Sequence, residues 1–242
     1  MKSTLLTSSM ILGSLMTGAC GVEGDDPEIA AEAPQEITAC GDVKIITARA
    51  STEAPGEGIT GALVTQIINA SDQNVLRVAV SYAATLTNYN SSSLQGINAA
   101  KQLLTSEVQA CPNEKIVLAG YSQGAHVVTD IIAGGQGGSL GSAVAPVPAN
   151  VASHVVAIVT FGDPRHVPNQ AFDVGTSRRN GLFPRAAGQL QTLGAFGTAK
   201  IQAFCDANDT FCDSGFSTAT HLTYLNRYQN RAAQFVLGKI GG

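Results

Sequence analysis

Short, continuous apolar runs alternate along this chain with longer segments in which apolar positions recur every three or four residues. The runs over 43–47, 75–82, 115–119, 154–161 and 200–204 have the length and β-branched content of strands. Between them, 58–70 carries Ile59, Leu63, Ile67 and Ile68 at helical spacing, and 93–110 does the same with Leu94, Ile97, Leu103, Leu104 and Val108. A further helix is predicted over 125–132, and a last one over 221–237 through Leu222, Leu225, Ala232, Phe235 and Val236. Strands that lack a polar face are buried on both sides, so the alternation predicts a three-layer α/β/α sandwich around a central, mostly parallel, five-stranded sheet. Residues 134–141 read as a flexible turn. The Gly- and Pro-containing stretch 169–199 reads as a surface excursion with no predicted element.

With 44% hydrophobic and 13% charged residues, the 242-residue chain has enough apolar material for one substantial core. The N-terminus has the form of an export signal: Lys2, then apolar and small residues from Leu5 to Met16, then Thr17-Gly18-Ala19-Cys20. Cleavage after Ala19 is one expectation and a lipid anchor on Cys20 the other, although Thr17 stands where a lipoprotein signal normally carries an aliphatic residue. Residues 21–38 hold six acids and few large apolar groups, the composition of a tether, which leaves 39–242 as the folded domain. Setting aside those six acids and Lys2, 12 of the 18 acidic and 13 of the 14 basic residues remain, so the domain is nearly neutral. No basic cluster interleaved with aromatics points to nucleic acid. A monomer is expected.

Apart from Cys20, the cysteines are Cys40, Cys111, Cys205 and Cys212. In an exported chain four cysteines suggest two disulfides, and the short loop between Cys205 and Cys212 favours joining those two, leaving Cys40 for Cys111. Loop-closure entropy assigns about 4 kcal/mol to the long bridge and about 2.5 kcal/mol to the short one. The spacing lacks the paired C-x-x-C ligands of a structural zinc site.

The 115–119 run leads directly into Gly120-Tyr121-Ser122-Gln123-Gly124. This is the G-x-S-x-G pattern in the strand-then-helix setting that a nucleophile turn requires, with glycines where side chains would collide. A serine hydroxyl becomes a nucleophile only when a base takes its proton, and the base needs a carboxylate to hold its tautomer. Of the four histidines, His126 lies on the helix after Ser122 and cannot reach back, and His154 and His166 read as structural or surface residues. His221 comes after an acid-dense loop and opens the last predicted helix. The acid is Asp206, Asp209 or Asp213; spacing does not choose among them.

The segment Cys205-Asp206-Ala207-Asn208-Asp209-Thr210-Phe211-Cys212 followed by His221 resembles the C-x-x-x-D-x-x-C…H signature of the cutinase family, which also carries G-Y-S-Q-G. The resemblance extends to Ala48-Arg49-Ala50-Ser51-Thr52-Glu53, to Phe161-Gly162-Asp163-Pro164 and to the four cysteines, and so covers nearly the whole domain. It implies a small, lidless α/β-hydrolase with Ser122 as nucleophile, His221 as base and Asp209 as orienting acid. It also implies disulfides Cys40–Cys111 and Cys205–Cys212, and an oxyanion hole from the amides of Ser51 and Gln123 with help from the Ser51 hydroxyl. The implied reaction is two-step ester hydrolysis through an acyl-enzyme, without metal or organic cofactor.

The expected partner is therefore an ester substrate: an insoluble cutin-like polyester, a short to medium acyl ester, or an acylated polysaccharide. Ser177 stands where acetylxylan esterases of the family carry a cysteine, which weakens the deacetylase alternative, and Ala50 replaces a common glycine. Phe211 and Phe216 are candidates for an apolar rim or for packing. A binding module that retained the fold without activity is the alternative of another class, and the complete Ser, His and Asp set argues against it.

Overall fold

The structure, a computed structural model, describes residues 39–241. The expected leader, Cys20 and the acidic tether lie outside the described residues. The apolar runs become the strands β1 (Val43–Ala48), β2 (Val75–Ala79), β3 (Lys115–Tyr121), β6 (Val155–Phe161) and β8 (Ile201–Phe204). The main helices are α1 (Thr60–Ala70), α2 (Tyr89–Ala110), α3 (Gln123–Ala133), α5 (Ala187–Gly197) and α7 (Tyr224–Ile240). A two-strand hairpin, β4 (Gly135–Gln136) with β5 (Ala143–Val144), and the short helix α4 (Ala149–Ala152) follow α3.

Every pairing in the main sheet is parallel, in the order β2-β1-β3-β6-β8-β7, where β7 is the two-residue strand Asp173–Val174. The expected five strands are present, and β7 adds a sixth at the edge. Two residues inside a Gly-rich segment show no period, so this strand has no sequence signal. The excursion is otherwise fixed by α5 and by buried ion pairs described below.

Strand alternation divides the core in two. Val117, Ala119 and Tyr121 of β3 face α1 and α7 with Ala157, Val159 and Phe161 of β6, whereas Ile116, Leu118 and Ile158 face α2 and α3. Tyr121 therefore emerges on the α7 side at the carboxyl end of the sheet. There the last predicted helix is broken in two: α6 (Thr218–Leu222) ends at Thr223 before α7 begins. The Ser217 hydroxyl accepts from the Thr220 amide and caps α6, so His221 lies in the last turn of a short helix and does not open the long one.

Both disulfides form. Cys40–Cys111 ties the chain entering β1 to the end of α2, and Cys205–Cys212 closes the loop after β8.

Candidate active site

Three strand ends converge here. Ser122 sits between β3 and α3 with φ 53° and ψ −117°, a conformation rarely adopted by any residue but glycine. The glycines around it are dictated by contact: a Cβ on Gly120 would lie 2.4 Å from the Gly124 carbonyl oxygen, and one on Gly124 would lie 1.9 Å from that of Ala48. This close approach brings the start of α3 against the end of β1, so the loop after β1 and the amides opening α3 lie side by side.

The three candidate acids have different partners. Asp206 is engaged by Thr176, Arg227 and Tyr228. Asp213 takes the Ser177 hydroxyl at 2.6 Å, the amides of Asn208, Arg178 and Arg179, and an ion pair with Arg179. Asp209 alone of the three meets a histidine: its Oδ2 lies 2.8 Å from His221 Nδ1, and its Oδ1 accepts the amides of Phe211 and Cys212 at 2.6 and 2.9 Å. Burial alone would raise the Asp209 carboxyl, but the His221 hydrogen bond and charge together with those two amides hold it below the usual carboxylate value. The Cys212 amide is one of the donors, so the short disulfide fixes part of the cradle of this acid.

The His221 ring is wedged between aromatic neighbours. Tyr121 stacks on it with centroids 5.2 Å apart, Phe211 tilts against it at 4.5 Å, and the Tyr121 hydroxyl donates to the His221 carbonyl. Gly162, at φ 62°, leaves the remaining space, since a Cβ there would lie 2.6 Å from His221 Cε1.

Ser122 and His221 line one cleft of 310 Å³ together with Ala50, Ser51, Thr52, Glu53, Ile59, Leu86, Tyr121, Phe211, Thr218 and Leu222. The amides of Ser51 and Gln123 have no hydrogen-bond partner among the described residues. The Ser51 hydroxyl donates to Gln123 Oε1 at 3.1 Å, so its proton is directed at the buried Gln123 side chain, which also donates toward the Thr85 carbonyl. The expected help from this hydroxyl would require it to rotate.

Phe211 lines the cleft, whereas Phe216 is 91% exposed and does not. The apolar mouth instead uses Ile59, Leu86 and Leu222, of which the last two are 56% and 60% exposed. The sequence places Ile59 and Leu222 only as members of helical apolar faces, and Leu86, an isolated apolar residue beside a turn, carries no period at all. His126 and His166 are buried away from this cleft, His126 against Asp130 and Tyr89 and His166 beside Asp173.

A family model described as cutinase matches residues 39–240. The chain is 32% identical over 214 residues to cutinase 11 of Verticillium dahliae, covering 85% of this chain and 71% of that protein. It is 31% identical over 219 residues to acetylxylan esterase 2 of Talaromyces purpureogenus, covering 87% and 92% respectively. A solved acetylxylan esterase structure superposes with a TM-score of 0.76 at 31% identity, covering 84% of this chain and 100% of that one. With the matched segment spanning every element of the sheet and both disulfides, the chain belongs to the cutinase family.

Proposed function

We propose that this carboxylic ester hydrolase works through Ser122 as nucleophile, His221 as general base and acid, and Asp209 as the orienting acid. The observation that supports it is the buried Asp209–His221 pair at 2.8 Å, whose histidine shares a solvent-open cleft with the strained Ser122. The Asp209 carboxylate faces Nδ1, which leaves Nε2 to take the Ser122 proton as the hydroxyl attacks an ester carbonyl. The oxyanion that forms is received by the Ser51 and Gln123 amides, each worth about 3 kcal/mol of barrier. His221 then returns the proton to the leaving alcohol, and a water activated the same way releases the acid.

The apolar mouth of Ile59, Leu86 and Leu222 around a 310 Å³ cleft suits short to medium acyl chains better than a sugar ring. Deacetylation of an acylated polysaccharide is the second reading, favoured by the likeness to the solved acetylxylan esterase and disfavoured by the absence of a cysteine at Ser177. The two disulfides favour an exported protein acting in an oxidising compartment.

Hydrolysis of p-nitrophenyl acetate, butyrate and octanoate by wild type and Ser122→Ala tests the reading. A loss of about 10⁴-fold or more on the substitution is expected, with butyrate or octanoate preferred. Acetate-only turnover would favour the deacetylase, and activity that survives Ser122→Ala would overturn the nucleophile assignment.

A further inference from the structure

We propose that Glu53 is a positioning residue for catalysis: its carboxylate, bonded to the Ala50 and Ile59 amides, fixes the 50–59 loop so that its own backbone amide holds the Ala50–Ser51 peptide in the orientation that turns the Ser51 amide into the cleft. The inference rests on the reading of that amide as an oxyanion donor.

The geometry around this peptide is specific. The carboxylate of Glu53 accepts the Ala50 amide on Oε2 at 2.6 Å and the Ile59 amide on Oε1 at 2.7 Å. Its own backbone amide donates to the Ala50 carbonyl at 3.4 Å. In a trans peptide the carbonyl and the following N–H point in opposite directions. Holding the Ala50 carbonyl toward the Glu53 amide therefore turns the Ser51 N–H away from it, where it has no partner among the described residues.

Neighbouring residues hold Glu53 in turn. Arg49 donates from Nε to the Glu53 carbonyl at 3.0 Å and from Nη2 to the Tyr82 carbonyl, and the Thr52 amide donates to the Ala84 carbonyl at 2.7 Å. Thr52 is held at φ 69° and Gly58 at φ 55°; a Cβ on Gly58 would lie 2.1 Å from Glu53 Oε2. The 50–59 loop is thus wound around one carboxylate with two amides to satisfy. Glutamine has one carbonyl oxygen and would turn an NH₂ toward the other amide, so it satisfies only one of them.

The test compares Glu53→Gln and Glu53→Ala with wild type. Competent sites are counted by titration with a p-nitrophenyl phosphonate ester, and kcat per titrated site and KM are measured on p-nitrophenyl butyrate. The inhibition constant of butylboronic acid, which forms a tetrahedral adduct on a serine, is measured alongside. Misdirecting one oxyanion donor is expected to lower kcat per site about tenfold in Glu53→Gln and about 100-fold in Glu53→Ala. KM should stay within about twofold, and boronate affinity should fall in step with kcat.

Unchanged kcat per titrated site with only a lowered melting temperature would reduce Glu53 to a structural brace and overturn the proposal. A raised KM at constant kcat would overturn it in favour of a substrate contact. If Glu53→Ala does not fold, Glu53→Gln, which keeps the shape and one acceptor, carries the test. A wild-type chain that takes no phosphonate would sink the Ser122 reading itself, a failure visible before either variant is compared.

Discussion

Among the described residues two histidine–aspartate pairs have both side chains buried, and their surroundings differ. His221 Nδ1 meets Asp209 at 2.8 Å across a loop, and His126 Nε2 meets Asp130 at 3.0 Å one helical turn apart on α3. Asp209 is completed by two backbone amides and carries no second cation among the described residues. Asp130 also binds Arg165 at 2.8 Å and Arg185 at 3.0 Å, while Arg185 reaches Asp163 at 2.7 Å. Burial would raise the Asp130 carboxyl, but the charges of His126, Arg185 and Arg165 outweigh it and bring it down to about 2. The other nitrogen of His126 is occupied by the Tyr89 hydroxyl at 3.1 Å, whereas the His221 ring lines the cleft that holds Ser122. An acid beside a histidine is thus no sign of catalysis by itself. What separates the pairs is whether the rest of the ring faces a cleft or a closed polar network.

Making the same substitution in both pairs gives the sharpest test. Asp209→Asn should lower kcat about 10⁴-fold by presenting the wrong tautomer, with little change in folding. Asp130→Asn should leave kcat per folded site within a few-fold but cost about 3–5 kcal/mol of stability, because two buried arginines lose a carboxylate. Active-site titration beside urea melts reads both, and equal effects in the two variants would collapse the distinction.

The two disulfides extend it to smaller effects. Replacing Cys40 and Cys111 by serine is expected to cost about 4 kcal/mol without altering kcat per folded site, as the bridge ties β1 to α2 away from the cleft. Replacing Cys205 and Cys212 should cost only about 2.5 kcal/mol yet lower kcat several-fold, since the Cys212 amide helps to hold Asp209. Chemical denaturation together with kinetics separates the two contributions.

The smallest expected effect lies at a third acid near a histidine. Asp173 Oδ1 is 3.7 Å from His166 Nδ1, and burial pushes the Asp173 carboxyl up to about 6, against the lowering effect of the Gln170 and Asn169 amides. A folded-state value above the unfolded one means that this contribution to stability is complete below about pH 4 and lost as the pH rises through about 6. Asp173→Asn should therefore match wild type at pH 4 and exceed it by about 1 kcal/mol at pH 8, allowing for solvent screening. Equal stability of the two proteins at pH 8 in urea titrations would show that the carboxylate is better solvated than its burial implies.

Much of the architecture was legible because buried parallel strands announce themselves as unbroken apolar runs, and all five predicted strands appear within a few residues of their expected bounds. The strand β7 and the helix α5 were not legible. The excursion that contains them is anchored by Arg185 reaching Asp130 and Asp163 and by Gln189 accepting from Arg165, contacts between residues 22 to 55 positions apart. The break between α6 and α7 is not legible either: the apolar spacing continues through Thr223, and the two helices part only in the backbone of that residue, at φ −120° and ψ 17°.

By itself, the sequence determined that Ser122 would occupy a tight strand-to-helix turn, because glycines at 120 and 124 are a local steric requirement and the preceding run can only be a buried strand. It also bounded the acid to three candidates in one loop. Tertiary structure decided which of them meets a histidine, which of two histidine–aspartate pairs opens onto a cleft, and which amides the Glu53 carboxylate accepts. These outcomes depend on directions in space: which way a carboxylate, a ring nitrogen or a peptide N–H points is set by neighbours brought together from distant parts of the chain, and residue spacing does not encode it.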